Sequence, residues 1–524
     1  MKKEVAVSCP LDCFDRCGFR VRVADGQVTS VAGDPDHPVT RGVICPKGRA
    51  LGARFSHPDR LRSPLIRKNG QFEPVAYDRA YDLIRRQLTQ VLEQYGPLSI
   101  LEYSGSGYNG LRGRIQTHFF NALGGATRPS GSLCWGAGSA AQKYDFGHVR
   151  GHSPGDVLNA RLILVWGRNP GYTSLHFYRL LKTAQKQGSR VVVIDPVQTA
   201  TAKGFGQSAH IRIQPSTDGA LALAMAKVIL DEALYDRAFV ENHVLGFARF
   251  RESLDGISIK KAERITGIPG ERIQSLAREY ARAETATIYI GFGMQRYGNG
   301  GNAVRAIDAL GALCGKVGRA GCGVNYAARS MSLLLTGMEE QSRKRIRAER
   351  FFTVGRMADF LDKAEAGSVQ GPPVKAAFVT QANPLNQGPS IEKTVRAFSR
   401  IPFKVVFDHF MTDTARAADL VLPAASVFEQ ADLMPCSMYS DVLNWSCKAV
   451  DPPAGVVPEF DFFLDLAGRM GLDLGFASSE DYLEICSAPL LSRLGIRLTQ
   501  LKQRQYLRIP GEDVAWQDKA FETP

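Results

Sequence analysis

Cysteine is among the few side chains that bind soft metals well, and this sequence crowds three of them into nine positions, in "SCPLDCFDRCGF" (8–19). A fourth follows in "GVICPKGRAL", completing the pattern Cys9-x3-Cys13-x3-Cys17-x27-Cys45. Structural zinc usually takes its ligands as two short pairs. Three thiols on one tight loop and a fourth on a returning segment suit a cubane iron–sulfur (4Fe–4S) cluster instead, one thiolate for each iron. Zinc and unligated thiols are the competing readings. Four of the ten cysteines within 37 residues argue against a chance grouping. Lys47 follows the last of them closely, where a cation would stabilise negative charge added to a neighbouring redox centre. The bland alternative is a turn lysine facing water.

Such a loop needs a scaffold. "FRVRVADGQVTSVAGD" (19–34) alternates around Asp25-Gly26 and predicts a β-hairpin, so a small β-rich domain surrounds the cysteines, over residues 1–51. From "YDRAYDLIRRQLTQVLEQYG" (77–96) onward, helical periodicity alternates with short apolar strands, with Asp78 as N-cap and Gly96 as C-cap of the first helix. That rhythm predicts an α/β protein with parallel sheets and crossover helices.

The chain also resembles itself. "LILVWGRNP" (162–170), a helix and "RVVVIDP" recur as "KAAFVTQANP" (375–384), a helix and "FKVVFDHF". Asn169 to Asp195 spans 26 residues and Asn383 to Asp408 spans 25. Both acids open the pattern D-x-x-x-T-x-T-A, in "DPVQTATA" and "DHFMTDTA". Two Rossmann-like parallel-sheet α/β domains are therefore expected after the β-rich iron–sulfur domain. In such folds ligands lie beyond the carboxyl ends of the strands, where loops and helix N-termini hold phosphates. The alternative is that Asn-Pro and Asp-Pro only end strands. "GFGMQRYGNGGN" (291–302) and "GALCGK" (311–316) are imperfect as nucleotide motifs and read as strand-to-helix turns.

Several function classes are excluded on composition. The formal charge of +13 comes from basic residues spread among 52 acids, with no nucleic-acid motif; the run "SRKRIRAER" (342–350) reads as a solvated helix face. An anionic cofactor is another use for that charge. No apolar run is long enough to span a membrane directly, and no leader is visible, so a cytoplasmic location is expected.

The chain is similar to the molybdopterin oxidoreductases of the dimethyl-sulfoxide-reductase type. The resemblance rests on the cysteine loop ending in "CPKG", on "VWGRNP", "VIDPVQTATA" and "IQPSTDGALALAMA" (213–226). It continues through "GFGMQRYGNGGNAVRAIDALGALCGKVGRAGCGV" (291–324), "QANPL" and "DHFMTDTARAADLVLPAASVFEQAD". It implies a 4Fe–4S cluster held by Cys9, Cys13, Cys17 and Cys45, beside molybdenum or tungsten carried by two molybdopterin guanine dinucleotides. It places Lys47 between cluster and pterin. Asn169, Asp195, Thr217 and Asp218 fall at one dinucleotide, and Asn383 and Asp408 at the second; Thr217-Asp218 also reads as a helix N-cap. Cys134, in "PSGSLCWGAGSAAQKYDFG" (129–147), is implied as the metal's protein ligand, with Ser132 or Ser130 as rivals. Trp135 stands where formate dehydrogenases of the family carry histidine.

The domains expected are 52–130 with 325–475 as a discontinuous first α/β domain, 131–324 as a second, and 476–524 as a segment leading toward a C-terminal dinucleotide-binding domain that the chain lacks. The function implied is the catalytic subunit of a two-electron oxidoreductase. It would act on a small substrate and relay electrons to an electron-transfer protein or iron–sulfur subunit, with a separate subunit as one source of the missing domain. A non-catalytic relay subunit and a non-redox hydratase on the same scaffold are the alternatives. His118, His148, His152 and His176 are expected to be core or surface histidines more than proton shuttles.

Overall fold

The computed structural model describes residues 2–328, 334–436, 438, 440–521 and 523. The chain opens with an antiparallel sheet of β1 (Lys2–Ser8), β2 (Gly18–Ala24) and β3 (Gln27–Gly33). Asp25 and Gly26, with φ of 49° and 75°, make the two-residue turn the sequence predicts, since both central positions of that tight hairpin turn need positive φ. The apolar face of this sheet, with Val7, Phe19 and Val21, packs against Val427, Phe428, Ala449 and Val450. The cysteine module is thereby fastened to the rest of the molecule.

Next come the hairpin β4 (Leu65–Lys68) and β5 (Gln71–Pro74), then β6 (Ile100–Ser104) and β7 (Thr127–Ser130). The chain then builds a complete five-stranded parallel sheet from β8 (Leu162–Trp166), β9 (Arg190–Ile194), β10 (His210–Ile211), β11 (Ala286–Ile290) and β12 (Val324–Asn325), in the order β10-β9-β8-β11-β12. It returns as β13 (Arg350–Thr353), β14 (Ala376–Thr380), β15 (Phe403–Asp408) and β16 (Leu420–Pro423). These join the earlier strands in an eight-stranded sheet, β13-β7-β6-β14-β15-β16-β4-β5, parallel except for the β4–β5 edge. β13 pairs directly with β7, so the five-stranded sheet is inserted between two neighbouring strands. A three-stranded antiparallel sheet of β17 (Asp432–Met434), β18 (Val442–Ser446) and β19 (Tyr506–Arg508) completes the fold.

Both parallel sheets are covered on each face, which is why their strands read as unbroken apolar runs. In β6, β14 and β15, Ile100, Phe378 and Phe407 enter one core, while Leu101, Val379 and Val406 enter the other. β8 divides likewise, with Leu164 on one side and Val165 on the other. The α/β architecture with a small β-rich module is thus as the sequence predicts. Among the described residues no helix is long and apolar enough to cross a membrane.

Three local expectations are corrected. The helix Tyr77–Tyr95 begins from Ala76; Asp78 sits inside its first turn and binds Arg469 at 2.8 Å, while Gly96 does end it, at φ 76°. "GALCGK" closes the helix Gly300–Leu313 rather than opening one. The basic run 342–350 is not a solvated helix face, because only its first two residues belong to a helix, Glu339–Arg343. Two of its guanidiniums cap carbonyls of distant segments instead: Arg347 donates to Leu123 O, and Arg350 to Leu98 O and Pro372 O. Arginine's fork of donors suits such tying of separate segments.

A buried acid locks the helix Gly136–Phe146 to the helix Gly300–Leu313. Asp308, 1% exposed, accepts from Gln142 Nε2 at 3.0 Å beside Asp145, which pairs with Arg305. Burial first, then the charge of Asp145, holds the Asp308 carboxyl well above its ordinary range. An acid with a raised folded pKa binds its proton more tightly when folded, so stability falls as pH rises above the ordinary carboxylate value. Asp308→Asn keeps the neutral shape without the titration. Thermal melts across pH are expected to show the wild type losing midpoint temperature toward alkaline pH more steeply than the variant; parallel curves would refute this.

Candidate functional site

Cys9 and Cys17 close the loop between β1 and β2 through a backbone bond of 2.9 Å from Cys9 N to Cys17 O. Cys45 is the N-cap of the helix Pro46–Phe55, its sulfur accepting from Gly48 N at 3.4 Å. A helix N-terminus favours negative charge there, which suits a thiolate. Lys47, at the second helical position, is exposed. The four thiols are unpaired and near enough to act on one another: Cys17 feels Cys9, Cys13 and Cys45. Burial, ahead of these neighbours, pushes Cys9 up to about 11 and lifts Cys13 and Cys17 further. Among the described residues no three His, Cys, Asp or Glu side chains converge at single-ion spacing. Three thiols on the β1–β2 loop and a fourth at a helix N-terminus suit a cubane, which places one thiolate at each of four irons. Cys13 Sγ also lies 3.6 Å from Thr173 O and Cys17 Sγ lies 3.7 Å from His176 Nε2, so the loop abuts the segment after β8.

The duplicated motif yields two matching clasps. Asn169 Oδ1 accepts from Thr201 N at 3.1 Å and Thr201 Oγ1 at 2.8 Å; Asn383 Oδ1 accepts from Thr414 N at 3.2 Å and Thr414 Oγ1 at 2.6 Å. The first threonine of each motif, Thr199 or Thr412, N-caps the short helix that follows. Each asparagine thus ties the loop after one strand to the helix after the next. The acids differ. Among the described residues Asp195 accepts from Val197 N alone, at 3.0 Å, whereas Asp408 accepts from His409 N at 2.7 Å and Thr412 Oγ1 at 2.8 Å. Burial raises both carboxyls. Thr217 occupies the N-cap position of the helix Asp218–Asp231 but makes no side-chain cap; its hydroxyl donates to Gln214 O at 2.7 Å. Asp218 is buried and accepts from Trp166 Nε1 at 2.8 Å.

Each parallel sheet reverses its strand order at one point, β6/β14 in the larger and β8/β11 in the smaller. Ligands bind at such switch points. A cavity of about 260 Å³ lies at the first, reached by Pro10 beside Cys9, by Tyr108 and Gln381, and by both Asn383 and Asp408. Its volume falls just below the roughly 300–1,000 Å³ usual for ligand sites, enough for part of a dinucleotide. The loop 105–113, "GSGYNGLRG", forms one wall. At Gly110 an added Cβ would lie 1.9 Å from Asp432 Oδ2, so only glycine fits. At the second switch point an added Cβ on Gly291 would meet Gly167 O at 1.7 Å.

Cys134 lies away from that cavity. It is exposed, yet the walls about its sulfur strip water from it; that desolvation, then Asp12, raises the thiol, and the facing Arg296 guanidinium pulls it down. Asp12 lies between Cys9 and Cys13, so the cysteine loop and the Cys134 loop face each other. The latter is fixed by Gln295 Nε2, which donates to the carbonyls of Leu133 and Cys134 at 3.1 Å each. Ser132 Oγ accepts from Cys134 N at 3.1 Å and Ser130 Oγ donates to Phe352 O at 3.2 Å. Of the histidines, His118 pairs with Tyr482 and His152 with Asp156, both in the core.

Sequence reasoning missed the glycine loop, whose signal was its spacing directly after a strand. It also missed Tyr108, which donates to Asp432 at 2.8 Å; burial pushes that carboxyl up to about 6.

A family model described as molybdopterin oxidoreductase matches residues 60–469, and one described as the molybdopterin oxidoreductase Fe4S4 domain matches residues 2–57. The chain is 36% identical to the probable oxidoreductase YyaE of Bacillus subtilis, over all of this chain and 77% of that one. It is 28% identical to the dimethyl sulfoxide reductase DmsA of Escherichia coli, over 91% of this chain and 65% of that one. Its fold matches acetylene hydratase from Pelobacter acetylenicus with a TM-score of 0.76 and 24% identity, over 98% of this chain and 76% of that one.

Proposed function

Because the chain belongs to the molybdopterin oxidoreductase family, we propose that it is a catalytic subunit with Cys134 as the protein ligand of the metal. When bound, the 4Fe–4S cluster and the molybdenum or tungsten bis-pterin group supply two-electron redox of a small substrate, with single electrons leaving through the cluster. What supports this reading is that Phe14 of the cysteine loop and Trp135, next to Cys134, both pack on the Phe292 ring, with centroids 5.9 Å away in each case.

In this reading the chain's own residues hold and orient. Cys9, Cys13, Cys17 and Cys45 bind the irons. Asn169 with Thr201, and Asn383 with Thr414, fix the loops at the carboxyl ends of β8 and β14, where backbone N–H groups meet phosphates. Asp195, Thr217 and Asp218 line one dinucleotide site and Asp408 the other. Lys47, on the helix capped by Cys45, steadies negative charge near the cluster. The partner is an electron-transfer protein, and the free thiols suit a reducing compartment such as the cytoplasm.

Cys134→Ala tests this. Turnover with an artificial electron acceptor is expected to vanish while the cluster's visible absorbance and iron content persist. An active variant, or wild-type protein holding iron without molybdenum or tungsten, would overturn the catalytic reading.

A further inference from the structure

Arg16 is a cation sealed behind the cysteine loop. It is 1% exposed, and its backbone takes the left-handed conformation, φ 40°, which a non-glycine residue adopts only when its surroundings hold it there. Nη1 donates to Cys9 O at 2.7 Å, and its carbonyl accepts from Asn444 Nδ2 at 3.0 Å. Nε and Nη2 are buried with no hydrogen-bond partner, and none of the ion pairs among the described residues involves Arg16. The nearby acids are engaged elsewhere: Asp15 accepts from Ser174 Oγ and His176 N, and Asp34 pairs with Arg20 and Tyr506. The charge of Arg16 is instead felt by the thiols of Cys9 and Cys436.

A buried guanidinium without a counter-ion is strongly unfavourable, so some anion must face it in the working protein. The anion that four thiolates around an iron–sulfur cube would create lies on the side of Cys9. We propose that Arg16 is the cluster's built-in counter-charge, and that it raises the cluster's reduction potential. Reduction adds one electron and breaks no bond, so the cluster becomes more negative by one charge, and a fixed cation stabilises the reduced form more than the oxidised one. This rests on Cys9, Cys13, Cys17 and Cys45 being the cluster ligands.

The experiment is an anaerobic dithionite titration of the full chain followed by electron paramagnetic resonance, with iron and sulfide assays alongside. Arg16→Gln is expected to make reduction at least tenfold less favourable, a midpoint lower by about 59 mV or more. Arg16→Lys, which keeps the charge, is expected to stay near wild type, as is Arg22→Gln on the exposed face of β2. Failure of Arg16→Gln to hold iron and sulfide while Arg16→Lys holds both also supports a need for charge. An unchanged midpoint in loaded Arg16→Gln, an equal shift in both Arg16 variants, or loss of the cluster from both overturns the proposal, since shape alone would then account for the residue. Wild-type protein without iron and sulfide sinks the ligand reading itself.

Discussion

Replacing Cys17 with alanine is expected to strip the protein of its acid-labile sulfide and most of its iron, together with the visible absorbance they confer. The sulfur is buried 3.7 Å from His176 Nε2, and alanine has no ligand atom to offer the iron left exposed. A cubane that loses one of four thiolates must accept a weaker ligand or fall apart. The fold should outlast the loss. The module's sheet is held by the β1–β2–β3 ladders and by apolar packing on Val427 and Phe428, so far-ultraviolet circular dichroism is expected to be nearly unchanged. Full iron and sulfide in the Cys17→Ala protein would show that the four cysteines are not the ligands.

The second large effect concerns stability. Arg60, just beyond the helix Pro46–Phe55, donates through Nη1 to Glu429 Oε1 at 2.8 Å and through Nη2 to Glu429 Oε2, with side chains 3% and 0% exposed. Glu429 also accepts from Ser426 N at 2.7 Å, closing a capping box after β16. Removing one partner strands a buried charge, which costs about 3–5 kcal/mol. Glu429→Leu is therefore expected to lower unfolding free energy by that amount in urea titrations. Arg60→Met combined with Glu429→Leu is expected to recover much of it, because two apolar side chains leave no charge uncompensated. A single-variant loss below about 1 kcal/mol, as for an exposed pair, would contradict the burial argument.

What was readable in the sequence was local or repeated. The cysteine spacing, the Asp25-Gly26 turn and the doubled Asn…Asp-x-x-x-Thr-x-Thr-Ala pattern each lie within 37 residues, and each corresponds to one device: a loop, a hairpin, a clasp. The repeat even encoded its own clasp, since its second threonine is the one each asparagine holds. Contacts between distant segments left no such trace. Arg60 meets Glu429 across 369 residues, and Asn444 reaches Arg16 across 428. The basic run 342–350 misled because charge density predicts solvent, whereas arginine can as well end several carbonyls at once. Thr217 misled for a related reason: its hydroxyl found Gln214 O before its own helix.

The pairing of β13 with β7 carries a consequence for how the protein is made. Translation delivers β8 to β12 as a finished set, so that sheet can close while still near the ribosome. Its host must wait, because β13 to β16 emerge only afterwards and the strand next to β7 comes more than two hundred residues late. The inner sheet can therefore close before its host, and the cleft at β6/β14 takes shape only after it.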